Sequence, residues 1–214
     1  MGHRISPTTG EFETAREIVV TSLDDAEATL PLDRDVVVEL GWDGDEHVPE
    51  LLDGASGFAS YPNRIELGFN TAAENWRGSL RFATVHEYAH IWGYEQRGRE
   101  SDTKWEYVLE EAFTQHTASA LVPEYRSPWW TRHDRRTVAA HWGQIKEEEL
   151  HRDSEEAGPV FIDPDDGGYP LGLGYSLSFQ IGRELLEDHK LRDLPTLEKP
   201  AVVGAGDRLY QGET

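Results

Sequence analysis

Two histidines and a glutamate stand close together in the string His86-Glu87-Tyr88-Ala89-His90. On a helix, residues four positions apart project from the same side, so His86 and His90 can present two imidazoles to one metal ion. Imidazoles at this spacing are typical zinc ligands. Glu87 lies one step further round the helix, where its carboxylate can take a proton from a water molecule that the zinc activates. The string therefore predicts metal-assisted hydrolysis of a carbonyl compound.

A hydrolytic zinc site usually has three protein ligands and an open position for water. The third ligand must come from outside the histidine string, and Glu110, Glu111 and His116 are the candidates that follow it. Glu111 is 21 positions beyond His90, which leaves room for one turn and an antiparallel return of the chain. Spacing alone keeps all three candidates open.

The hydrophobic pattern predicts the elements that must position these residues. Apolar residues at three- and four-residue steps indicate helices, whereas alternating or β-branched apolar residues indicate strands. The predicted helices cover residues 11–30, 79–93, 104–121, 130–150 and 172–190. The predicted strands cover residues 35–40 and 64–69, and residues 53–60 form a short, glycine-interrupted strand or a loop. The histidine string and the candidate third ligands then lie on two consecutive helices.

The order of these elements predicts an α+β fold, in which a small antiparallel or mixed sheet comes first and a mainly helical portion follows. The 214 residues suit a single domain that covers the whole chain, 1–214. Its expected parts are a helix plus small sheet at 1–75, a helical metal-binding part at 76–190 and a tail at 191–214. The hydrophobic pattern does not define the structure of the tail.

Two stretches late in the chain carry further expectations. In the last predicted helix, Gly174, Ser178 and Gly182 recur at four-residue steps and form a smooth stripe where another helix can approach closely. Residues 163–168 are rich in Asp and Gly, but their spacing does not match a helix–loop–helix calcium site. We expect a solvent-exposed turn there.

The composition is strongly acidic, with 41 Asp and Glu against 20 Lys and Arg and a formal net charge of −21. Such a surface repels phosphates and anionic lipids, so we expect neither nucleic acid nor a membrane as a partner. Only 4 of the 20 basic residues are Lys, and this bias is typical of halophilic proteins, whose self-repulsion is screened by concentrated salt. The absence of Cys excludes Cys-ligated zinc. The first residues lack the apolar core of a signal peptide, which favours a cytoplasmic location.

The histidine string, followed by Glu110-Glu111-Ala112-Phe113-Thr114, resembles the gluzincin pattern, in which H-E-x-x-H is completed by a Glu on a downstream helix. In this register Glu111, rather than Glu110, is the counterpart of the third ligand. More narrowly, residues 55–190 resemble a family of predicted zinc-dependent proteases built on a domain of unknown function. The resemblance implies a zincin-like fold with one Zn²⁺ ion held by His86, His90 and Glu111.

The same resemblance implies a reaction and a set of roles. The reaction is hydrolysis of a peptide bond in a peptide or protein substrate, with Glu87 as general base and then as general acid to the leaving amine. The late-helix element G-Y-x-x-[GS] of the family has its counterpart at Gly174 to Ser178, which implies Tyr175 as the donor that stabilises the oxyanion. The other candidates for this donor are His116, His141 and Tyr169.

Two positions near the third ligand depart from the family pattern. Ala112 replaces the usual Gly beside the ligand. Gln115 stands where some gluzincins have an Asp that orients a ligand histidine, and a Gln carbonyl can accept the same hydrogen bond without a charge.

In zincins generally, an extended peptide substrate lies beside an edge strand just upstream of the metal helix. Hydrogen bonds between main chains hold such a peptide without reading its sequence. Ser56–Ser60 or Arg64–Phe69 is expected to supply that edge.

Three alternatives to a zinc peptidase stay open. The first is a metal-dependent hydrolase of another amide. The second is a non-catalytic zinc-bound module that recognises extended peptides or a partner protein. The third is a helical protein without zinc.

Overall fold

The computed structural model of the protein describes residues 7–153 and 168–211, and it has the mixed α+β architecture that the sequence predicts. The helices are α1 Thr9–Thr29, α2 His47–Leu51, α3 Trp76–Arg97, α4 Lys104–Leu121, α5 Arg135–Gln144, α6 Leu173–Leu185 and α7 Lys199–Tyr210. The strands are β1 Val37–Trp42, β2 Ala55–Ser60 and β3 Arg64–Phe69. A π-helical turn, Ile145–Glu149, continues α5, and a 3₁₀-helix, Leu191–Thr196, precedes α7. Most of the expected turn at 163–168 lies outside the described residues.

The three strands form a mixed sheet in the order β1-β3-β2. β3 runs parallel to β1 from the pair Val37–Arg64 onward, and antiparallel to β2 from the pair Ala55–Phe69 onward. The stretch 55–60 is therefore a strand and not a loop. Because β3 is paired on both sides, the prediction that Arg64–Phe69 could offer a free edge is wrong, whereas β2 lies at an edge of the sheet.

Contacts between residues divide the chain into two compact units, one made of Met1–Glu95 with Thr117–Pro128 and the other of Gln96–His116 with Trp129–Thr214. The core of the first unit lies against one face of the sheet. Alternate residues of β3 are fully buried there, as the alternation in the sequence predicts. Phe69 is the centre of an aromatic cluster that includes Phe12 of α1 and Trp76 of α3. The single-domain organisation stays a prediction.

In the second unit, α6 packs against α7 and α5, and it also approaches α4 closely at one point. A Cβ atom added at Gly182 would lie 2.7 Å from the ring of His116 and 2.9 Å from the Cβ of Ala112. The helices can approach this closely only because residue 182 has no side chain. The predicted close approach of another helix to the small-residue stripe is therefore confirmed at Gly182. Ala112, which replaces the usual Gly of the family pattern, lies opposite Gly182, and the missing side chain there leaves room for its methyl group.

Helix α7 occupies the tail whose structure the sequence left undefined. Gly204 and Gly206 lower its intrinsic helix propensity, since glycine costs about 1 kcal/mol relative to alanine in a helix. A Cβ at Gly206 would collide with the indole of Trp142, so the glycine lets α7 pack directly on that ring. Trp142 also donates from its indole nitrogen to Asp207, at 2.9 Å. The formation of α7 therefore depends on tertiary packing rather than on intrinsic helix propensity.

Two predicted helices are shorter in the structure. The helix predicted over 130–150 begins only at Arg135, because the side chain of Asp134 caps it by accepting from the backbone nitrogen of Thr137 at 2.8 Å. The helix predicted over 172–190 ends at Leu185. None of the helices in the described part of the chain combines the length and hydrophobicity that a membrane span requires.

A buried ion pair holds the start of α4. Lys104, only 1% exposed, donates to Glu149 at 2.5 Å, and the backbone nitrogen of Lys104 donates to the carbonyl of Arg152 at 3.0 Å. The guanidinium of Arg152 is a second cation near Glu149, at 3.3 Å, but it is half exposed. The position of the α4 N-terminus thus depends on an ion pair that is buried away from water.

We expect Lys104→Met to lower the free energy of unfolding by about 3 kcal/mol, because it leaves the buried carboxylate of Glu149 without its main partner. Chemical denaturation in high salt measures this change. Lys190→Met is the matched control, since Lys190 is exposed, and it should change stability by less than about 0.5 kcal/mol. Equal effects of the two substitutions would contradict a structural role for the buried pair.

Candidate metal centre

The histidine string lies in the second half of α3, whose buried residues run almost continuously from Leu80 to Tyr94. One helical turn separates His86 from His90, and their ring centroids are 4.8 Å apart. The two Nε2 atoms lie 3.1 Å from each other. The same nitrogen of both rings therefore points to one place, as the four-residue spacing predicts.

Glu111 on α4 completes a group of three potential ligands. The ligand atoms of His86, His90 and Glu111 all lie within 4.8 Å of one another. Within the described residues, these three side chains form the one cluster of at least three His, Cys, Asp or Glu residues that could hold a metal ion. His90 and Glu111 are buried, at 5% and 2% exposure, whereas His86 is partly exposed.

The spacing of the two histidine nitrogens fits zinc. A tetrahedral site with Zn–N bonds of about 2.0–2.1 Å places two ligand nitrogens about 3.3 Å apart, close to the observed 3.1 Å. Two imidazoles and one carboxylate are a common donor set for a catalytic zinc ion, which keeps its fourth position for water. This set of donor atoms suits a divalent cation, and zinc is one of the cations that it could bind.

The two competitors of Glu111 have other partners. The carboxylate of Glu110 pairs with the guanidinium of Arg97 and accepts from the hydroxyl of Ser101. His116 stacks on Phe179 with ring centroids 4.3 Å apart, and its Nε2 lies 2.9 Å from the carbonyl oxygen of Phe179. Neither residue belongs to the group of potential ligands. Of the three candidates, Glu111 is the one that the structure groups with the two histidines, and its role as a ligand stays a prediction.

Gln115 contacts the carboxylate of Glu111. Its side-chain nitrogen donates to Oε2 of Glu111 at 3.1 Å, one helical turn along α4, and both residues are buried. The sequence suggested a different bond at this position, in which the Gln carbonyl accepts from a ligand histidine. The amide holds the carboxylate without neutralising it, because an amide carries no charge.

Glu87 is 7% exposed and follows His86 directly on α3. The backbone of β2 lies against its side chain. A Cβ atom added at Gly57 would lie 2.6 Å from both Cγ and Oε1 of Glu87. No motif in the sequence points to Gly57, although a glycine inside a strand is a known sign of a close approach.

Tyr175 lies in the first turn of α6 and is half-buried, with its ring 5.3 Å from that of Trp129. His141 contacts the ring of Tyr169, and burial, followed by the nearby charge of Glu149, raises the pKa of Tyr169 to about 12. None of these residues is part of the group of potential ligands. Tyr175 as oxyanion donor stays a prediction.

The fold and the site define an α+β protein with a His-His-Glu group that can bind a metal ion, next to a buried glutamate. The pattern of the family described as "Predicted Zn-dependent protease (DUF2268)" matches residues 35–202. The match covers well over half of the chain, and the protein therefore belongs to this family. No curated protein and no solved structure matches the chain.

We expect Gln115→Ala to weaken zinc binding by about 10–100-fold, because the carboxylate of Glu111 loses the hydrogen bond that orients it. Competition with a chromophoric chelator measures the dissociation constant. The matched control is Gln144→Ala, since Gln144 makes the same bond to Glu148, four residues along, at 3.1 Å, but on the surface. Unchanged zinc affinity in Gln115→Ala would show that Glu111 needs no such support.

His116 should make the folded state sensitive to acid. Burial lowers the pKa of His116, with the nearby carbonyl of Phe179 opposing the shift and Arg183 adding to it. Below pH 6.5, the ordinary pKa of histidine, the unfolded chain binds a proton at this residue more readily than the folded chain does. The contribution of His116 to the free energy of unfolding is therefore full above about pH 6.5 and falls as the pH drops below it. The largest possible slope for one group is about 1.4 kcal/mol per pH unit.

We expect His116→Gln to flatten this dependence between pH 6.5 and 5, measured by denaturation of metal-free protein at each pH. His189→Gln removes an exposed histidine and is the control. If both variants follow the wild-type slope, His116 does not contribute to acid sensitivity.

Proposed function

We propose that the protein is a zinc-dependent peptidase of the gluzincin type, with a single Zn²⁺ ion bound by His86, His90 and Glu111. The observation that carries the proposal is the convergence of these three ligands with Glu87 next to them in the chain. Membership of a family named for zinc-dependent proteolysis supports it.

A bound zinc ion would polarise the substrate carbonyl and lower the pKa of water at its open position. The remaining chemistry falls to the side chains of this protein. Glu87 accepts the proton of the attacking water and then passes it to the leaving amine. The burial of Glu87 keeps its carboxylate in a poorly hydrated place, where its interactions are stronger than in water. Tyr175 remains the proposed donor to the oxyanion.

Strand β2 is the proposed binding edge for the substrate. Within the described residues it pairs with β3 on one side only, so an extended peptide can add to its other side through main-chain hydrogen bonds. The contact between Gly57 and Glu87 supports this choice, because it brings the backbone of the same strand to the proposed general base. Such binding favours an extended peptide of little sequence preference over a compact amide.

The acidic charge of the chain determines the salt concentration at which peptidase activity should be assayed. With 41 acidic and 20 basic residues, we propose that the protein works in concentrated salt, which screens its self-repulsion. The cytoplasmic location stays a prediction from the sequence.

The central test is Glu87→Gln. Metal analysis of the purified protein comes first and should find one zinc per chain. The substitution should lower kcat/KM on a peptide library by at least about 10²–10⁴-fold, the usual contribution of a general base, and leave the zinc content unchanged. Glu95→Gln is the control, since Glu95 lies on the same helix as Glu87, is only partly buried and is outside the ligand group.

The opposite outcome is equally informative. A wild type that holds zinc in high salt but cleaves no peptide, with Glu87→Gln behaving identically, contradicts the peptidase and favours the non-catalytic zinc-bound module. A wild type that binds no metal contradicts both.

A further inference from the structure

We propose that Gly57 is a positioning residue, which holds the carboxylate of Glu87 in place by having no side chain of its own. The inference rests on the proposed function, since it concerns the general base of that reaction. It adds a residue that neither the histidine motif nor the family description points to.

Gly57 is itself exposed, but it lies on the same face of β2 as buried neighbours. In the register of the antiparallel pair, Gly57 lies opposite Leu67, which is 3% exposed. The residues two positions away on the same face of β2, Ala55 and Ala59, are also buried. A side chain at position 57 would therefore point from the sheet toward helix α3, where Glu87 lies.

The space that such a side chain would need is filled by Glu87. A Cβ at Gly57 would lie 2.6 Å from Cγ, 2.6 Å from Oε1 and 2.9 Å from the carboxylate carbon of this glutamate. All three distances are below 3.0 Å, the limit that real Cβ atoms respect. The three nearest heavy atoms thus belong to one side chain, the one to which the reaction assigns the proton transfer.

Relief of this clash requires more than a small movement of the carboxylate. Cγ is the first atom beyond the Cβ of Glu87, so the clash is relieved only if the side chain changes its χ1 angle or if α3 and the edge strand β2 move apart. Either change displaces the carboxylate by about an ångström or more. A displacement of that size costs on the order of 10²-fold in rate when a catalytic group must meet its partner within hydrogen-bond reach.

The same sheet provides a matched control. Gly41 lies in the other edge strand, β1, and a Cβ added there would meet nothing within 4 Å. Neither Gly41 nor Gly57 has a positive φ, so the backbone accepts alanine at both positions. The two substitutions therefore differ in what the new methyl group meets and not in backbone strain.

The first arm of the test is kinetic. Gly57→Ala should lower kcat by about 10²-fold with KM nearly unchanged, since the substrate edge of β2 remains but the base is displaced. The zinc content should stay at the wild-type value, because the three ligands are not touched. Gly41→Ala should keep wild-type kcat, KM and zinc content. Full activity in Gly57→Ala, or loss of its zinc, overturns the proposal.

The second arm needs no activity. In the wild-type background Gly57→Ala should lower Tm, whereas in a Glu87→Ala background, which removes every atom of the clash, it should leave Tm unchanged. Equal losses in the two backgrounds show that position 57 does not act on Glu87 and overturn the proposal. If the wild type cleaves nothing, the proposed function fails, while this stability cycle still decides whether Gly57 controls the glutamate.

Discussion

The structure depends on bringing a buried carboxylate next to two imidazoles. Glu111 is 2% exposed, and the removal of a carboxylate from water is costly unless a cation or hydrogen bonds compensate. His86, His90 and Glu111 share one place within 4.8 Å, so a single divalent ion can offset that cost for the whole group.

Helix α4 shows how one element separates structural from functional charge. It carries three buried glutamates, and each has a different partner: Arg99 pairs with Glu106, Arg97 pairs with Glu110, and the neutral amide of Gln115 donates to Glu111. The arginines neutralise the first two carboxylates, whereas the amide orients the third without cancelling its charge. The helix is held by the buried Lys104–Glu149 pair and by the close approach of α6 at Gly182. These contacts explain why Glu111 is the carboxylate suited to a metal ion.

The sheet contributes through its edge. β3 is paired on both sides and forms the core, which leaves β2 to present one side of its backbone within the described residues. The same strand lies against Glu87 at Gly57, so the proposed substrate edge and the proposed general base belong to one packed arrangement. A small three-stranded sheet is sufficient for this purpose, because extended peptides are held by backbone groups rather than by a deep pocket.

The sequence by itself determined the local features of this protein. The four-residue spacing of His86 and His90 on a helix, the alternation that buries one face of β3 and the α+β order of elements are all short-range patterns, and the structure agrees with them. The family-like register already favoured Glu111 as the third ligand, but only the tertiary structure brought it to the histidines. Only the tertiary structure also decided that Gln115 contacts Glu111, that Gly57 lies against Glu87, and that the tail forms a helix packed on Trp142. Each of these features joins residues far apart in the chain or depends on a missing side chain. Hydrophobic period and helix propensity describe neighbours along one element, and they carry no information about which elements meet.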